Sequence, residues 1–104
     1  MKIQLLYFEG CPSYEALLPR LESLLARTGV DEEIELRRVE TIEAAERERF
    51  LGSPTVRIDG EDVDPGASSR TDFGMKCRLY RSATATSPIP PDEWIEEALG
   101  RARA

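Results

Sequence analysis

The sequence predicts an α/β protein in which a mixed β-sheet carries helices on both faces. A nearly continuous apolar run over residues 2–8 is typical of a strand buried on both sides. Leucines recur every three or four residues over 12–28, which is the pattern of an amphipathic helix. Asp59-Gly60 stands between two short alternating runs and predicts a β-hairpin. A parallel β-α-β unit followed by an antiparallel hairpin gives a mixed sheet.

The other elements follow from the same local signals, namely apolar residues at helix or strand spacing between turn-forming Gly, Pro and acidic residues. The hairpin is predicted to pair residues 55–58 with residues 61–64. The full predicted order is strand 2–8, helix 12–28 closed by Gly29, a second strand through Ile34, Leu36 and Val39, helix 42–50, strands 55–58 and 61–64, a loop over 65–76, a short strand over 77–81, a turn-rich segment over 82–90, and a final helix beginning near Pro91.

Length and composition limit the function classes. The 104 residues predict one domain over 1–104, and 40% apolar with 33% charged residues is a globular composition. Fourteen basic against twenty acidic residues give a net charge of −6, which argues against a nucleic-acid partner. The longest apolar run has four residues, Leu5 to Phe8, so no membrane partner is expected. The first residues lack the pattern of a signal peptide, and we expect a cytoplasmic protein.

Chemistry in this chain is expected to run through cysteine. Histidine is absent, which excludes Ser-His-Asp and Cys-His catalysis and the common zinc sites. The reactive side chains that remain are Cys11 and Cys77. The sequence indicates no cofactor and no resident metal site.

Cys11 lies where the first predicted strand gives way to the first helix. Gly10 permits a sharp turn, and Pro12 suits the first position of a helix. The sulfur is therefore predicted at a helix N-terminus, where unpaired N–H groups and the helix dipole favour a thiolate, although Glu9 and Glu15 oppose this effect. A second interpretation is that Cys11 is a small buried residue that fills the strand–helix joint.

Two prolines accompany Cys11 at informative spacings. Pro19 follows it by eight residues within the helical pattern, and Pro54 follows it by 43 residues at the start of a predicted strand, before Thr55. With Cys11, Pro19 and Pro54-Thr55, the chain resembles the thioredoxin superfamily over roughly residues 2–64 and the last helix. The resemblance implies a thioredoxin-like fold, a nucleophilic Cys11 and a cis Ser53–Pro54 bond. It also implies that Pro54 shapes the groove where a substrate backbone pairs.

The resemblance also covers part of the ligand site and has a clear departure. Ile58-Asp59-Gly60 followed by Pro65-Gly66 is similar to glutaredoxin, in which the corresponding loop helps to hold glutathione. The nucleophile motif, however, reads Cys11-Pro12-Ser13-Tyr14 instead of Cys-x-x-Cys. Tyr14 cannot form a disulfide, but its hydroxyl could bond the Cys11 sulfur. A mixed disulfide on Cys11 would then be resolved by Cys77 or by an external thiol.

Several alternatives stay open at this stage. Cys77 either acts as the resolving thiol or simply packs beside Leu79. The chain acts in thiol–disulfide exchange on a protein or low-molecular-weight thiol or disulfide, or it is a non-catalytic thioredoxin-like binding module. A soft-metal site of organomercurial type would require Cys11, Cys77 and an acid such as Asp72 to converge. The arginines at 47, 49, 78 and 81 are interpreted as solvated charges, with Arg78 a candidate for binding an anionic thiol.

Overall fold

The computed structural model describes residues 1–103 and shows an α/β fold with a mixed four-stranded sheet. The sheet has the order β2-β1-β3-β4. The elements are β1 (Ile3–Tyr7), α1 (Pro12–Arg27), β2 (Ile34–Arg38), α2 (Ile42–Arg47), β3 (Thr55–Ile58), β4 (Glu61–Asp62), a short 3₁₀ turn (Ala67–Ser69), β5 (Tyr80–Arg81), β6 (Thr86–Ser87) and α3 (Asp92–Arg103). None of the helices within 1–103 is long and apolar enough to cross a membrane.

β1 is the strand that buries apolar residues on both faces of the sheet, with Leu5 on one face and Leu6 on the other. It pairs in parallel with β2 on one side, with Leu5 opposite Leu36. It pairs antiparallel with β3 on the other side, with Leu5 opposite Val56. The hairpin around Asp59-Gly60 then adds β4 to β3, as the sequence predicts.

Helices cover both faces of the sheet. The larger core lies on one face, where the leucines of α1 and the apolar face of α3 pack against β1 and β3. A smaller cluster lies on the opposite face, under α2. Its buried members are Leu6, Val39, Ala45 and Phe50. The predicted arrangement of a mixed sheet between helices is therefore confirmed at this level.

α1 has nearly the predicted bounds. It begins at Pro12 and continues through Pro19, which is exposed. It ends at Arg27, and Gly29 adopts φ +75° just beyond it. The Val30 N–H donates to Leu25 O and the Gly29 N–H to Ala26 O, which is the Schellman arrangement expected for a glycine at this position.

α2 is shorter than predicted and ends at Arg47 rather than residue 50. Here too a Schellman motif stops the helix, since the Phe50 N–H donates to Ala45 O and the Arg49 N–H to Glu46 O. Arg49 itself takes the left-handed conformation, φ +56°, that a glycine usually supplies. Because the sequence has no glycine at this position to mark the helix end, the predicted helix extended to residue 50.

The second half of the chain contains most of the corrections. β4 holds two residues instead of four, because the Asp62 side chain accepts the Asp64 N–H in a local turn that ends the strand. The predicted strand 77–81 is reduced to β5 (Tyr80–Arg81), which pairs with β6 inside the segment predicted as turns. α3 begins at Asp92, one residue after Pro91.

Candidate functional site

Cys11 is the N-cap residue of α1, as predicted. Its backbone is extended (φ −80°, ψ 109°), Pro12 opens the helix, and Gly10 turns the chain at φ +90°. The Cys11 side chain is 3% exposed, and its sulfur accepts no capping hydrogen bond from α1. The Cys11 N–H donates to Phe8 O at 3.4 Å. The thiol is thus buried at the start of a 16-residue helix without a specific hydrogen-bond partner from that helix.

Tyr14 does not bond the Cys11 sulfur; within residues 1–103 the structure contains no such hydrogen bond. Its ring instead stacks on Tyr7, with centroids 3.9 Å apart and planes inclined by 7°. The pKa of Tyr14 is raised, first by desolvation and then by the neighbouring Tyr7 and Glu15. Tyr14 therefore forms an aromatic platform on the first turn of α1 and keeps its phenol neutral at physiological pH.

The Ser53-Pro54-Thr55 segment lies beside the end of β1. The Ser53–Pro54 peptide bond is cis, which confirms the prediction. The Phe8 N–H donates to Ser53 Oγ at 3.4 Å. Ser53 is therefore bonded to Phe8, whose carbonyl oxygen accepts the Cys11 N–H. The Thr55 hydroxyl donates to Gly52 O at 2.6 Å. All three residues are buried, and together they link the Cys11 loop to β3.

Cys77 belongs to a separate chain segment that pairs with the backbone of Ser53. A parallel bridge pairs the two residues: the Ser53 N–H donates to Lys76 O and the Arg78 N–H donates to Ser53 O, both at 2.9 Å. The approach requires a glycine at position 52, since a Cβ there would lie 2.8 Å from Lys76 O. The backbone of Ser53, next to Pro54, is therefore already paired with the chain's own 76–78 segment.

The two cysteines are both free thiols, Cys11 buried and Cys77 exposed. The structure contains no disulfide between them. Leu79 is 54% exposed, so Cys77 and Leu79 do not form the packed pair that was the alternative interpretation.

Arg78 was predicted to be solvated, and this prediction is wrong. The residue is 2% exposed, and its guanidinium makes a bidentate ion pair with Asp62, at 2.7 and 3.1 Å. A second carboxylate, Asp64, lies 3.3 Å away, and the Thr55 hydroxyl accepts a further hydrogen bond at 3.0 Å. Such a charge is found buried only where it is paired. Its Nη1 and Nη2 donors are bound to internal acceptors, and its Nε is buried without a partner, so Arg78 does not present the free cation that an anionic thiol would need.

The ring of Tyr80 completes this cluster. The Arg78 guanidinium lies 4.4 Å from the Tyr80 ring centroid, and the Tyr80 hydroxyl donates to Pro54 O. Burial acts to lower the pKa of Arg78, but Tyr80, Asp62 and Asp64 more than offset it and the pKa is raised. Burial strongly raises the pKa of Tyr80. We call Arg78, Tyr80, Asp62 and Asp64 the Arg78 cluster.

The sequence contained one signal for the Arg78 cluster. Asp62 and Asp64 alternate on either side of the buried Val63, so both carboxylates point away from it toward the same side. Two neighbouring carboxylates that are partly buried need a cation. Arg78 supplies it, 16 residues after Asp62 and 14 residues after Asp64.

Pro65 and Gly66, predicted to bind glutathione, are exposed. The Gly66 N–H donates to Asp64 Oδ1 at 2.8 Å. Pro65 lines an open pocket of about 670 Å³ together with Arg57, Arg70 and Arg101. Cys11 is not among the residues that line this pocket. The structure therefore does not bring the predicted ligand loop and the predicted nucleophile into one cavity.

Asp72, the acid considered for a soft-metal site, is engaged elsewhere. Its carboxylate pairs with Arg70 and with Lys76, each at 2.7 Å. Hydrogen bonds from these two cations hold the pKa of Asp72 well below its usual range. Across residues 1–103, no three His, Cys, Asp or Glu side chains converge as a metal site would need.

Comparison with known proteins adds no assignment: no family model, no curated protein and no solved structure matches this chain.

Proposed function

We propose that this chain is a thioredoxin-like thiol protein that carries out thiol–disulfide exchange through Cys11. The observation that carries the proposal is the position of the free Cys11 thiol at the start of a long helix, linked through Phe8 to the Ser53-Pro54 turn. The thiolate is the form of cysteine that attacks a disulfide.

The fold is consistent with this proposal. Apart from the separate β5-β6 hairpin before α3, the order is β-α-β-α-β-β-α with a mixed sheet, which is what the resemblance to the thioredoxin superfamily implies. Pro12 and Tyr14 shape the first turn of α1 around the nucleophile. Pro54 and Thr55 hold the facing turn in place through the hydrogen bonds of Gly52 and Tyr80.

The proposed reaction has two steps. The Cys11 thiolate attacks one sulfur of a disulfide, forms a mixed disulfide and releases the other sulfur as a thiolate. A second thiolate then attacks the substrate sulfur of that mixed disulfide, regenerates Cys11 and leaves the substrate sulfur in a new disulfide. Over the two steps one thiolate replaces another in the disulfide, so the number of disulfide bonds and the number of electrons are unchanged. We assign the second step to an external low-molecular-weight thiol, because Cys77 is exposed and held in the bridge to Ser53.

The experiment compares the reduced protein with two single-cysteine variants. Glutathione disulfide is the probe for the Cys11 adduct, which mass spectrometry detects. Bis(2-hydroxyethyl) disulfide with reduced glutathione is the probe for turnover, and a coupled assay follows the glutathione disulfide that forms. We expect Cys11→Ser to lower turnover at least a hundredfold and Cys77→Ser to change it less than threefold. Unchanged turnover in Cys11→Ser would contradict the proposal. Loss of turnover in Cys77→Ser with the Cys11 adduct intact would reassign the second step to Cys77.

A second candidate function is a non-catalytic thioredoxin-like binding module. The burial of Cys11, 3% exposed, favours it, because an inaccessible thiol behaves as a small apolar residue. The same experiment separates the two candidates: a binding module forms no Cys11 adduct with glutathione disulfide at any pH at which the protein stays folded.

A further inference from the structure

The free edge of β2 is the surface that the proposed thiol chemistry does not use. β2 is the terminal strand of the four-stranded sheet, and four of its five residues are exposed. Leu36, at its centre, has 44% of its surface in solvent. An unpaired edge of this length with an exposed leucine is a site for strand pairing unless something covers it.

The hydrogen-bond pattern shows which residues of β2 are free to pair. The Val39 N–H donates to Tyr7 O at 2.8 Å, which directs the odd-numbered residues toward β1. Since backbone groups alternate along a strand, Ile34, Leu36 and Arg38 direct their N–H and C=O groups away from β1. The free edge therefore offers three residues, each with one donor and one acceptor.

The charges along this edge identify the occupant. Glu35 and Arg37 flank Leu36, carry opposite charges and are both exposed. Within its own chain, Glu35 accepts a hydrogen bond from Gln4. Arg37 forms an ion pair with Glu48 of the same chain. An antiparallel copy of the same strand centred on Leu36 places each Glu35 against Arg37 of the other copy. A parallel copy would place like charges opposite one another, which is unfavourable.

We propose that a second copy of this chain pairs with β2 across a two-fold axis at Leu36. In this register Leu36 faces Leu36 of the other copy, and Ile34 faces Arg38 in hydrogen-bonded pairs. Glu35 faces Arg37 at the two closer, non-hydrogen-bonded positions, where side chains interact most. The two sheets become one sheet of eight strands.

A groove of mixed character lies beside the edge, between α1 and β2. It has a volume of about 750 Å³, and its lining includes the leucines at 18, 25 and 36 together with four acids, Glu22, Asp31, Glu32 and Glu33. The two-fold axis brings the grooves of both copies to the same face of the joined sheet. The pairing is isologous and closes on itself, so it gives a dimer and not a fibre. A small interface of this kind corresponds to a dissociation constant on the order of micromolar.

The test measures sedimentation equilibrium of the full chain between about 1 µM and 1 mM. We expect a monomer–dimer equilibrium, which Leu36→Asp shifts at least a hundredfold toward monomer. The matched control is Leu79→Asp, because Leu79 is also exposed but lies outside the sheet, and it leaves the equilibrium unchanged. Thermal unfolding of every variant checks that each is folded.

Charge reversal tests the register. Glu35→Arg or Arg37→Glu alone places like charges opposite each other and weakens the dimer at least tenfold. The double variant restores the opposite-charge pairs and brings the dissociation constant back to within about threefold of the original. A chain that stays monomeric at 1 mM, a dimer insensitive to Leu36→Asp, or a double variant no better than the single ones would each overturn the proposal. If the chain stays monomeric at 1 mM, the partner of the β2 edge would have to be a different protein. All of them are independent of the Cys11 chemistry.

Discussion

Two chain segments carry the cysteines, and both meet Ser53, but they are held by different means. The Cys11 segment is joined to Ser53 by one long hydrogen bond, from the Phe8 N–H to Ser53 Oγ, and its own turn is closed by the bond from the Cys11 N–H to Phe8 O, each 3.4 Å. The Cys77 segment is attached by two bonds of 2.9 Å and by the buried Arg78. The strongly held segment presents an exposed thiol, whereas the weakly held one buries its thiol.

Structural support and the proposed reactive thiol therefore lie on different segments. The buried polar interactions beside Pro54 are concentrated around Arg78, on the Cys77 segment. On the other segment, the Cys11 sulfur has no hydrogen-bond partner from α1 that would compete with a substrate. Because long hydrogen bonds hold the backbone of residues 8–11 at the Gly10 turn, we expect a local displacement of this segment to bring the Cys11 sulfur to solvent.

Arg78→Met removes the anchor of the Cys77 segment and leaves Asp62 and Asp64 without a cation. We expect a loss of about 3–5 kcal/mol in the free energy of unfolding, measured by urea denaturation, because breaking a buried ion pair strands its partner charges. Arg81→Met is the control: Arg81 is exposed and forms no ion pair within residues 1–103, so its loss is below about 0.5 kcal/mol. A loss at Arg78 no larger than at Arg81 would contradict the role of the cluster.

Gly52→Ala forces the Cys77 segment away from Ser53. The added Cβ would lie 2.8 Å from Lys76 O, and φ at this residue is +126°. We expect a loss of about 2–3 kcal/mol from strain and from the weakened bridge. Gly74→Ala provides the comparison, since a Cβ there meets nothing within 4 Å. Equal unfolding midpoints for the two variants would show that the bridge contributes little.

Tyr80→Phe removes the hydrogen bond to Pro54 O, and we expect it to cost about 1 kcal/mol at pH 7. The variant also tests alkaline behaviour. The pKa of Tyr80 is raised by burial, so the unfolded chain releases the phenol proton near pH 10 while the folded protein retains it. Stability of the parent protein therefore falls as pH rises above about 10. The slope of stability against pH should be shallower in Tyr80→Phe, and identical slopes would argue against a buried neutral phenol.

Ser53→Ala removes the acceptor for the Phe8 N–H and affects only the Cys11 segment. We expect less than about 1 kcal/mol, since the bond is long. Alkylation of Cys11 by a small reagent should become severalfold faster as the segment loosens. Ser68→Ala, at an exposed serine, should change neither quantity. A stability loss as large as that of Arg78→Met would erase the distinction between the two segments.

The predictable parts of this molecule are those whose interactions are local in sequence. The Asp59-Gly60 turn, the Gly29 helix end and the Pro12 helix start all appear as expected, because each depends on the conformation of neighbouring residues. The cis bond before Pro54 followed from a resemblance and is present as well.

The unpredicted parts depend on distant partners. The burial of Arg78 requires Asp62 and Asp64, and the position of Cys77 requires the missing Cβ of Gly52. The alternation of Asp62 and Asp64 does not indicate which cation pairs with them, and the approach to Gly52 leaves no periodic pattern in the sequence. β5 and β6 are two residues each and lie below the length at which alternation can be recognised. The sequence therefore predicted the sheet and the position of Cys11 at the start of α1, but not the interactions of residues 76–78 with Ser53.

The order in which the elements are synthesised leaves β1, a central strand of the sheet, incompletely paired during elongation. β1 is made before either of its neighbours, and its parallel neighbour β2 follows directly after α1. Its antiparallel neighbour β3 appears only after α2, and α3, which seals the larger core, is made after all four strands of the sheet. During elongation the nascent chain therefore carries a half-paired apolar strand. A partly made chain of this kind exposes both a strand edge and core leucines, which is the state that chaperones recognise.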